Sequence, residues 1–367
     1  MRIGIDARFW NETGVGRYIR NLVGQLCEID NSHTYVLFVM KSDYHDVKKQ
    51  ITNNNWQVIS TDIHWHSLAE QLYFSQILDK ENLDLMHFPY FSIPVRYRGP
   101  YVVTIHDLIL HHFATGEATT LPFYLYKLKL AGYRYVLGQA SRNAKKLITV
   151  SQATAGEIRD HLHVKSSKIA VIYEGADQSL QLSTTPNRYG KYFLHVGNVY
   201  PHKNAKRLIE GFNRADIDGH TLIFVGKKDY FMEQLEKFVK DSGLEKKVTF
   251  LGFVSDMDLG SLYQNSVATV VPSLMEGFGL PVLEAMVNNS LVLASDIPSL
   301  REVAQDGAIY VDPFDVQDIS AKIRYIVQGD KLVLASHKKK ALQISKEFSW
   351  RKMAKETLAV YESSISI

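Results

Sequence analysis

Short apolar runs alternate with segments of helical periodicity along nearly the whole chain, and that alternation leaves few folds open to it. In the first half, strands are predicted over Arg2 to Ile5, Tyr35 to Met40, Leu85 to Phe88, Tyr101 to Ile105, Leu147 to Val150 and Ile169 to Ile172. Helical spacing falls between them, from about Val15 to Glu28, through Leu68 to Leu78, from about Thr120 to Ala140, and after Ser151, whose hydroxyl suits a helix cap. Strands separated by helices imply a parallel, doubly wound sheet with its binding crevice at the carboxyl ends of the strands. Asp6, Gly14, Gly16, His87, His106 and Asp107 are expected at that edge.

The periodicity lapses between about Tyr173 and Tyr189, where Gly175, Gln178, Ser179, Thr184, Pro186 and Asn187 form a polar linker. It restarts with strands over Tyr192 to Val196, Thr221 to Val225, Val248 to Leu251, Ala268 to Val271, Leu291 to Ala294 and Ile309 to Val311. A chain of 367 residues exceeds what one core normally organises, so two α/β domains are expected. The formal net charge is only +3, which gives no basis for a nucleic-acid partner. No run approaches the ~18 apolar residues of a membrane span. Met1 leads at once into a strand rather than a signal peptide, and the single cysteine, Cys27, has no partner for a disulfide or a thiolate metal site. A cytoplasmic location is expected.

Between the run ending at Val271 and a helical pattern carrying Leu280, Leu283 and Val287 lies the loop Pro272 to Gly279, with Pro281 suited to the first helical turn. Gly277 and Gly279 would let backbone approach a ligand there, and the N–H groups of the new helix would face an anion such as a diphosphate. Glu276 stands before the helix and Glu284 about one turn inside it. A carboxylate can accept both hydroxyls of a vicinal diol, so an acid at each end of a phosphate cradle implies a nucleotide sugar. A surface helix with two solvated glutamates is the plain alternative.

The pattern P-S-x-x-E-G-F-G-L-P-x-x-E from Pro272 to Glu284, with its E-x7-E spacing, resembles the signature of retaining GT-B glycosyltransferases, specifically glycosyltransferase family 4. The resemblance implies an α/β GT-B fold of two Rossmann-like, doubly wound domains facing across a cleft. Residues 1–175, completed by 350–367, would form an amino-terminal acceptor domain, and 190–349 a nucleotide-sugar domain. The segment from Phe348-Ser349-Trp350-Arg351, with Met353, Thr357 and Val360 at helical spacing, resembles the closing helix that crosses back. His106 matches a histidine that touches the donor sugar, with Asp107 a candidate for holding its tautomer. Gly197 to Asn204 resembles the loop whose arginine and lysine neutralise the leaving diphosphate. Lys203 matches the lysine, whereas Asn198 stands at the arginine position, leaving Arg207 or Arg17 as candidate substitutes. By the same resemblance Phe253 lies where the nucleobase packs, Glu276 holds the sugar hydroxyls and Glu284 the ribose diol. The backbone of Gly277, Phe278, Gly279 and Leu280 meets the donor phosphate, and Ser273 is a further donor-binding residue. Gly14 and Gly16 belong to the loop that closes over the donor, although a simple helix-start turn would account for them as well.

The implied reaction transfers a hexose, glucose or mannose, from UDP-glucose, GDP-mannose or a related donor to a glycan or lipid-linked glycan in polysaccharide biosynthesis, with retention and with no cofactor or metal. Asp256-Met257-Asp258 and Asp216-Ile217-Asp218 spell the D-x-D of metal-dependent transferases, but the first opens a helix, where acids favour the dipole, and the second sits in a polar turn. A dehydrogenase is disfavoured because Gly14-Val15-Gly16-Arg17-Tyr18 lacks the third glycine of a dinucleotide fingerprint and Lys41 follows the second strand where an acid is wanted. A nucleotide-sugar epimerase and a non-catalytic binding module remain as other readings. The helix from Thr120 to Lys146 carries two apolar stripes. Leu121, Leu125, Leu128, Gly132 and Tyr135 are expected as its core face. Phe123, Tyr126, Leu130, Tyr133 and Leu137, bordered by Lys127, Lys129 and Arg134, suit either an anionic membrane at its inner face or a helix buried on two sides with its basic residues reaching back to water.

Overall fold

A computed structural model describes residues 1–113, 122–176 and 187–365. Thr120 and Leu121 of the long helix, and the linker residues Gln178, Ser179, Thr184 and Pro186, lie outside them. Contacts divide the chain into two units, the first comprising Met1–Leu108, a stretch ending at Glu174, and the chain from Ser349 onward.

The first unit is built on β1 (Arg2–Asp6), β2 (Thr34–Met40), β3 (Trp56–Thr61), β4 (Leu85–Phe88), β5 (Tyr101–Ile105), β6 (Lys146–Thr149) and β7 (Ile169–Val171). Their order is β3-β2-β1-β4-β5-β6-β7, every neighbouring pair being parallel. Between them run α1 (Gly14–Ile29), α2 (Tyr44–Gln50), α3 (Ser75–Asp79), α4 (Ile109–His112), α5 (Phe123–Asn143) and α6 (Gln152–Leu162), of which α4 groups with the second unit. Ile3, Ile5, Val36, Phe38, Val103 and Ile148 are all buried, as parallel strands covered on both faces require. Ser151 caps α6 by accepting from the Thr154 N–H at 3.0 Å.

The structure departs from several expectations. β3 is an edge strand with exposed Gln57 and Ser60, so it lacks the apolar run that marks the others. The segment from Leu68 is helical as expected, but its turn Glu70–Phe74 is π-helical, and Glu70 there is buried against Arg8 and Ser92. His87 lies inside β4 rather than beyond it. Its Nδ1 is 2.6 Å from the Tyr361 hydroxyl and its Nε2 2.8 Å from Thr104 Oγ1, and burial pushes its pKa down to about 3. On α5 the two stripes exchange places: Tyr126, Tyr133 and Leu137 are buried, whereas Leu125, Leu128 and Tyr135 are exposed. Tyr133 packs edge-on against Phe91, 5.0 Å between centroids, which fixes the buried side.

The second unit's sheet contains β8 (Lys191–Val196), β9 (His220–Val225), β10 (Val248–Gly252), β11 (Ala268–Val271), β12 (Val292–Ser295) and β13 (Ala308–Val311), in the order β10-β9-β8-β11-β12-β13 and again parallel throughout. Its helices are α7 (Ala205–Ala215), α8 (Tyr230–Asp241), α9 (Asp256–Asn265), α10 (Leu280–Val287), α11 (Pro298–Ala304), α12 (Val316–Gln328) and α13 (Lys331–Ser345). Phe193, Leu208, Phe212, Leu222, Leu293 and Ile323 form its core. The chain then returns to the first unit as α14 (Trp350–Ile365), which packs on α1 and sets Arg351 3.3 Å from Glu28. In each sheet the winding reverses once, between β1 and β4 and between β8 and β11. Ligands of doubly wound sheets bind beyond the carboxyl ends of the strands at such a reversal.

Candidate active site

In the second unit the loops leaving β8 and β11 are Gly197 to Asn204 and Pro272 to Gly279, and backbone and side-chain hydrogen bonds tie them together. The Leu274 N–H donates to the His202 carbonyl at 2.7 Å. Asn204, in the left-handed region at φ 62°, donates its amide to the carbonyls of Pro272 at 3.0 Å and Pro313 at 2.6 Å. This brace aims Lys203 at Glu276, Nζ to Oε1 2.7 Å, while the Ser273 hydroxyl donates to the same oxygen at 2.6 Å. Burial opposes a charge on Glu276, but the Lys203 ammonium and the Ser273 hydroxyl outweigh it and hold the carboxyl below its usual range. The Glu276 and Lys203 side chains are only 8% and 18% exposed. A mostly buried ion pair therefore occupies the reversal point.

Beyond the loop, α10 begins with Pro281 in its first turn. Gly279 has φ 101°, and a Cβ there would collide with Leu300 Cδ2. A glycine is thus demanded there by backbone twist and by Leu300. Phe278 is buried edge-on against Phe348 at 5.7 Å, which leaves its backbone as the part available to a donor. Leu280 is half-buried. Glu284 is 3% exposed and accepts from the Tyr263 hydroxyl at 2.8 Å. Neither glutamate is a solvated surface acid.

Asn198 is half-buried, and among the described residues its Oδ1 has no partner. Nearby in sequence, His195 places Nδ1 3.0 Å from the Val270 carbonyl, and burial pulls its pKa down to about 4. Arg207 is held by Asn204, Nη1 to Oδ1 3.0 Å. Phe253, just past β10, is 86% exposed. Asp256 and Asp258 lie in the first turn of α9, with Ser255 as its cap, and Asp216 ends α7 in a left-handed turn. Sequence reasoning does not find His195, Asn204 or Tyr263. An asparagine just ahead of a helix is the one signal that points to Asn204.

In the first unit His106 follows β5. Its Nε2 is 2.9 Å from the Pro89 carbonyl and its Nδ1 3.4 Å from Glu174 Oε1, with the Tyr18 ring edge-on at 4.9 Å. Burial disfavours the imidazolium, but the Glu174 carboxylate overcomes it and raises the His106 pKa above 6.5. The carboxylate at Nδ1 is thus Glu174, which arrives from beyond β7, rather than the adjacent Asp107. Gly16 is enclosed, since a Cβ added to it would fall 2.7 Å from the carbonyls of Phe9 and Trp10, while Gly14 faces open space at the start of α1.

A family model described as Glycosyl transferases group 1 matches residues 181–343, and one described as Glycosyltransferase Family 4 matches residues 13–180. The O-antigen chain mannosyltransferase RfbU of Salmonella typhimurium is 30% identical over 329 residues, spanning 86% of this chain and 88% of that protein. The chain belongs to the family 4, group 1 glycosyltransferases. O-antigen chain mannosyltransferase B of Escherichia coli is 29% identical to this transferase over 295 residues, 76% of this chain and 74% of the relative. In structure the transferase resembles sucrose-phosphate synthase from Thermosynechococcus elongatus, with a TM-score of 0.80 at 19% identity over 99% of this chain and 98% of the other. Two Rossmann-like parallel sheets and that likeness give it the GT-B fold.

Proposed function

We propose that this transferase is a retaining, metal-independent hexosyltransferase of polysaccharide biosynthesis, which passes mannose, or failing that glucose, from a GDP- or UDP-sugar to a glycan or lipid-linked glycan. The names of the O-antigen relatives favour mannose. The observation that carries the reading is the buried Lys203–Glu276–Ser273 cluster at the reversal of the second sheet, followed about one turn inside α10 by the buried Glu284. In this reading Lys203 and the first N–H groups of α10, with Asn198 beside them, meet the diphosphate. Glu276 takes hydroxyls of the moving sugar, Glu284 the ribose diol, and Phe253 stacks on the base. Gly14, Gly16 and His106 belong to the first unit's share of the reaction, and that unit takes the acceptor.

The bond from the anomeric carbon to the β-phosphate oxygen breaks with its electron pair remaining on phosphate. The acceptor oxygen bonds that carbon on the same face, and its proton passes to the departing phosphate oxygen. No side-chain nucleophile is required, so the residues act by position and charge. Diphosphate binding draws Lys203 from Glu276, which frees a carboxylate oxygen for the sugar at the moment the donor arrives. Pro89 and Glu174 hold the two ring nitrogens of His106, so its part is to position, and the Glu174 carboxylate favours its charged form.

The test is a donor panel in EDTA, following free nucleotide and sugar. Release of nucleotide from GDP-mannose or UDP-glucose, unchanged by chelation, is expected. An isomerised donor would instead mark an epimerase, binding without turnover a non-catalytic module, and activity restored only by manganese or magnesium would return the D-x-D pairs to the site.

A further inference from the structure

Loops leaving the carboxyl edge of the first sheet bring aromatic rings together outside the donor cluster. Phe9 follows β1, His64, Trp65 and His66 follow β3, and Tyr90 follows β4. Trp65 lies 4.4 Å from Phe9 and is stacked on His64 at 3.8 Å, with 29° between those two planes. Tyr90 lies 5.1 Å from Phe9 and 6.5 Å from His106, so the cluster adjoins a residue of the proposed reaction. His64 and His66 are exposed and Trp65 is half-buried, unlike Trp10, Trp56 and Trp350, which are all buried.

The loop is held in an uncommon shape by buried charge. His66 has φ 58°, a left-handed conformation that is strained for a non-glycine residue and persists only when its surroundings enforce it. Its N–H donates to Glu70 Oε2 at 3.0 Å. Glu70 is in turn fixed by Arg8 Nη2 at 2.5 Å and by the Ser92 hydroxyl at 2.8 Å, and Arg8 is paired with Asp6. An open-sided stack of rings on a braced, strained loop at the sheet's binding edge is suited to a ligand with both a C–H face and hydroxyls. A pyranose ring has both: its C–H groups pack on the π-face, and an imidazole offers hydroxyls a donor or an acceptor nitrogen.

We propose that Trp65, with His64 and His66, forms an acceptor subsite that takes one pyranose ring of the acceptor glycan. This assignment rests on the transferase reading. Its test is fluorine NMR of protein labelled with fluorotryptophan, titrated with methyl α-D-mannopyranoside, with glycerol as the control polyol. Four tryptophans give four signals, and Trp65→Phe identifies the one of interest. The expected result is a saturable shift of the Trp65 signal with the pyranoside and none with glycerol. In Trp65→Ala and in His66→Ala, the pyranoside concentration giving half-maximal nucleotide release should rise about tenfold. The signals of Trp10, Trp56 and Trp350 report whether each variant is folded. A Trp65 signal unmoved by the pyranoside, or unchanged half-saturation in both folded variants, overturns the subsite. Failure of the transferase reading would show separately, as absence of nucleotide release by the wild-type protein from every donor.

Discussion

Glu276 and Glu284 are the same residue type eight positions apart, yet the fold gives one a cation and the other a hydroxyl as partner. Their losses should therefore differ. On the proposed reading Glu276→Ala removes a contact to the moving sugar and is expected to lower kcat about 100-fold, whereas Glu284→Ala is expected to raise the donor KM about tenfold with a smaller effect on kcat. Steady-state kinetics with saturating donor separate the two, and wild-type turnover in Glu276→Ala would break the assignment. His106 supplies a pH test. Its folded pKa is raised by Glu174, so the stabilisation is fully present below 6.5 and is lost as pH rises through the raised value. Glu174→Gln removes the cause, and urea unfolding should show that the wild-type advantage over the variant shrinks as pH climbs above 6.5. An advantage that grew with pH would contradict the pairing. Glu276 has the opposite sign, since its depressed pKa keeps its stabilisation intact above 4.5 and loses it in acid.

At the level of elements, the start of α1 separates two glycines that look alike in sequence. Gly14→Ala meets nothing and should change stability by no more than about 0.5 kcal/mol. Gly16→Ala drives a methyl into two backbone carbonyls and should cost about 1–3 kcal/mol, as read by denaturant unfolding. Equal effects would mean that α1 starts differently. The same contrast shows what a sequence can and cannot reveal. Buried parallel strands such as β5 and β11 are continuous apolar runs and are legible from their residues alone, as are the loop and helix carrying Glu276 and Glu284. β3 is not, because an edge strand keeps polar residues on its open side. The faces of α5 are exchanged because both stripes are apolar with helical spacing, and only contact with a distant residue, Phe91 on Tyr133, decides between them. Glu174 is hidden for the same reason: it is close to His106 in space and 68 positions away in sequence, by 174 − 106.

For the molecule as a whole, no helix among the described residues is long and apolar enough to cross a membrane, so any membrane contact by them must be made by a surface. The exposed side of α5 offers one in the first unit. Tyr124, Leu125, Leu128 and Tyr135 share that side, with Lys127 and Arg134 along one flank and Lys129 on the other. Leu68, Leu72 and Tyr73 are also exposed in that unit. We propose that this side rests on anionic lipid where a lipid-linked acceptor is presented. Sedimentation at low salt should bring down more protein with anionic than with neutral liposomes, and Leu128→Ser with Lys127→Ser should abolish the difference. Equal pelleting would point to a glycan acceptor free in solution. The central claim, transfer of a hexose from a nucleotide sugar with retention, is tested most directly by proton NMR of the first sugar product formed from an α-linked donor in EDTA. The anomeric signal that appears before mutarotation should be α. An initial β signal would contradict the account.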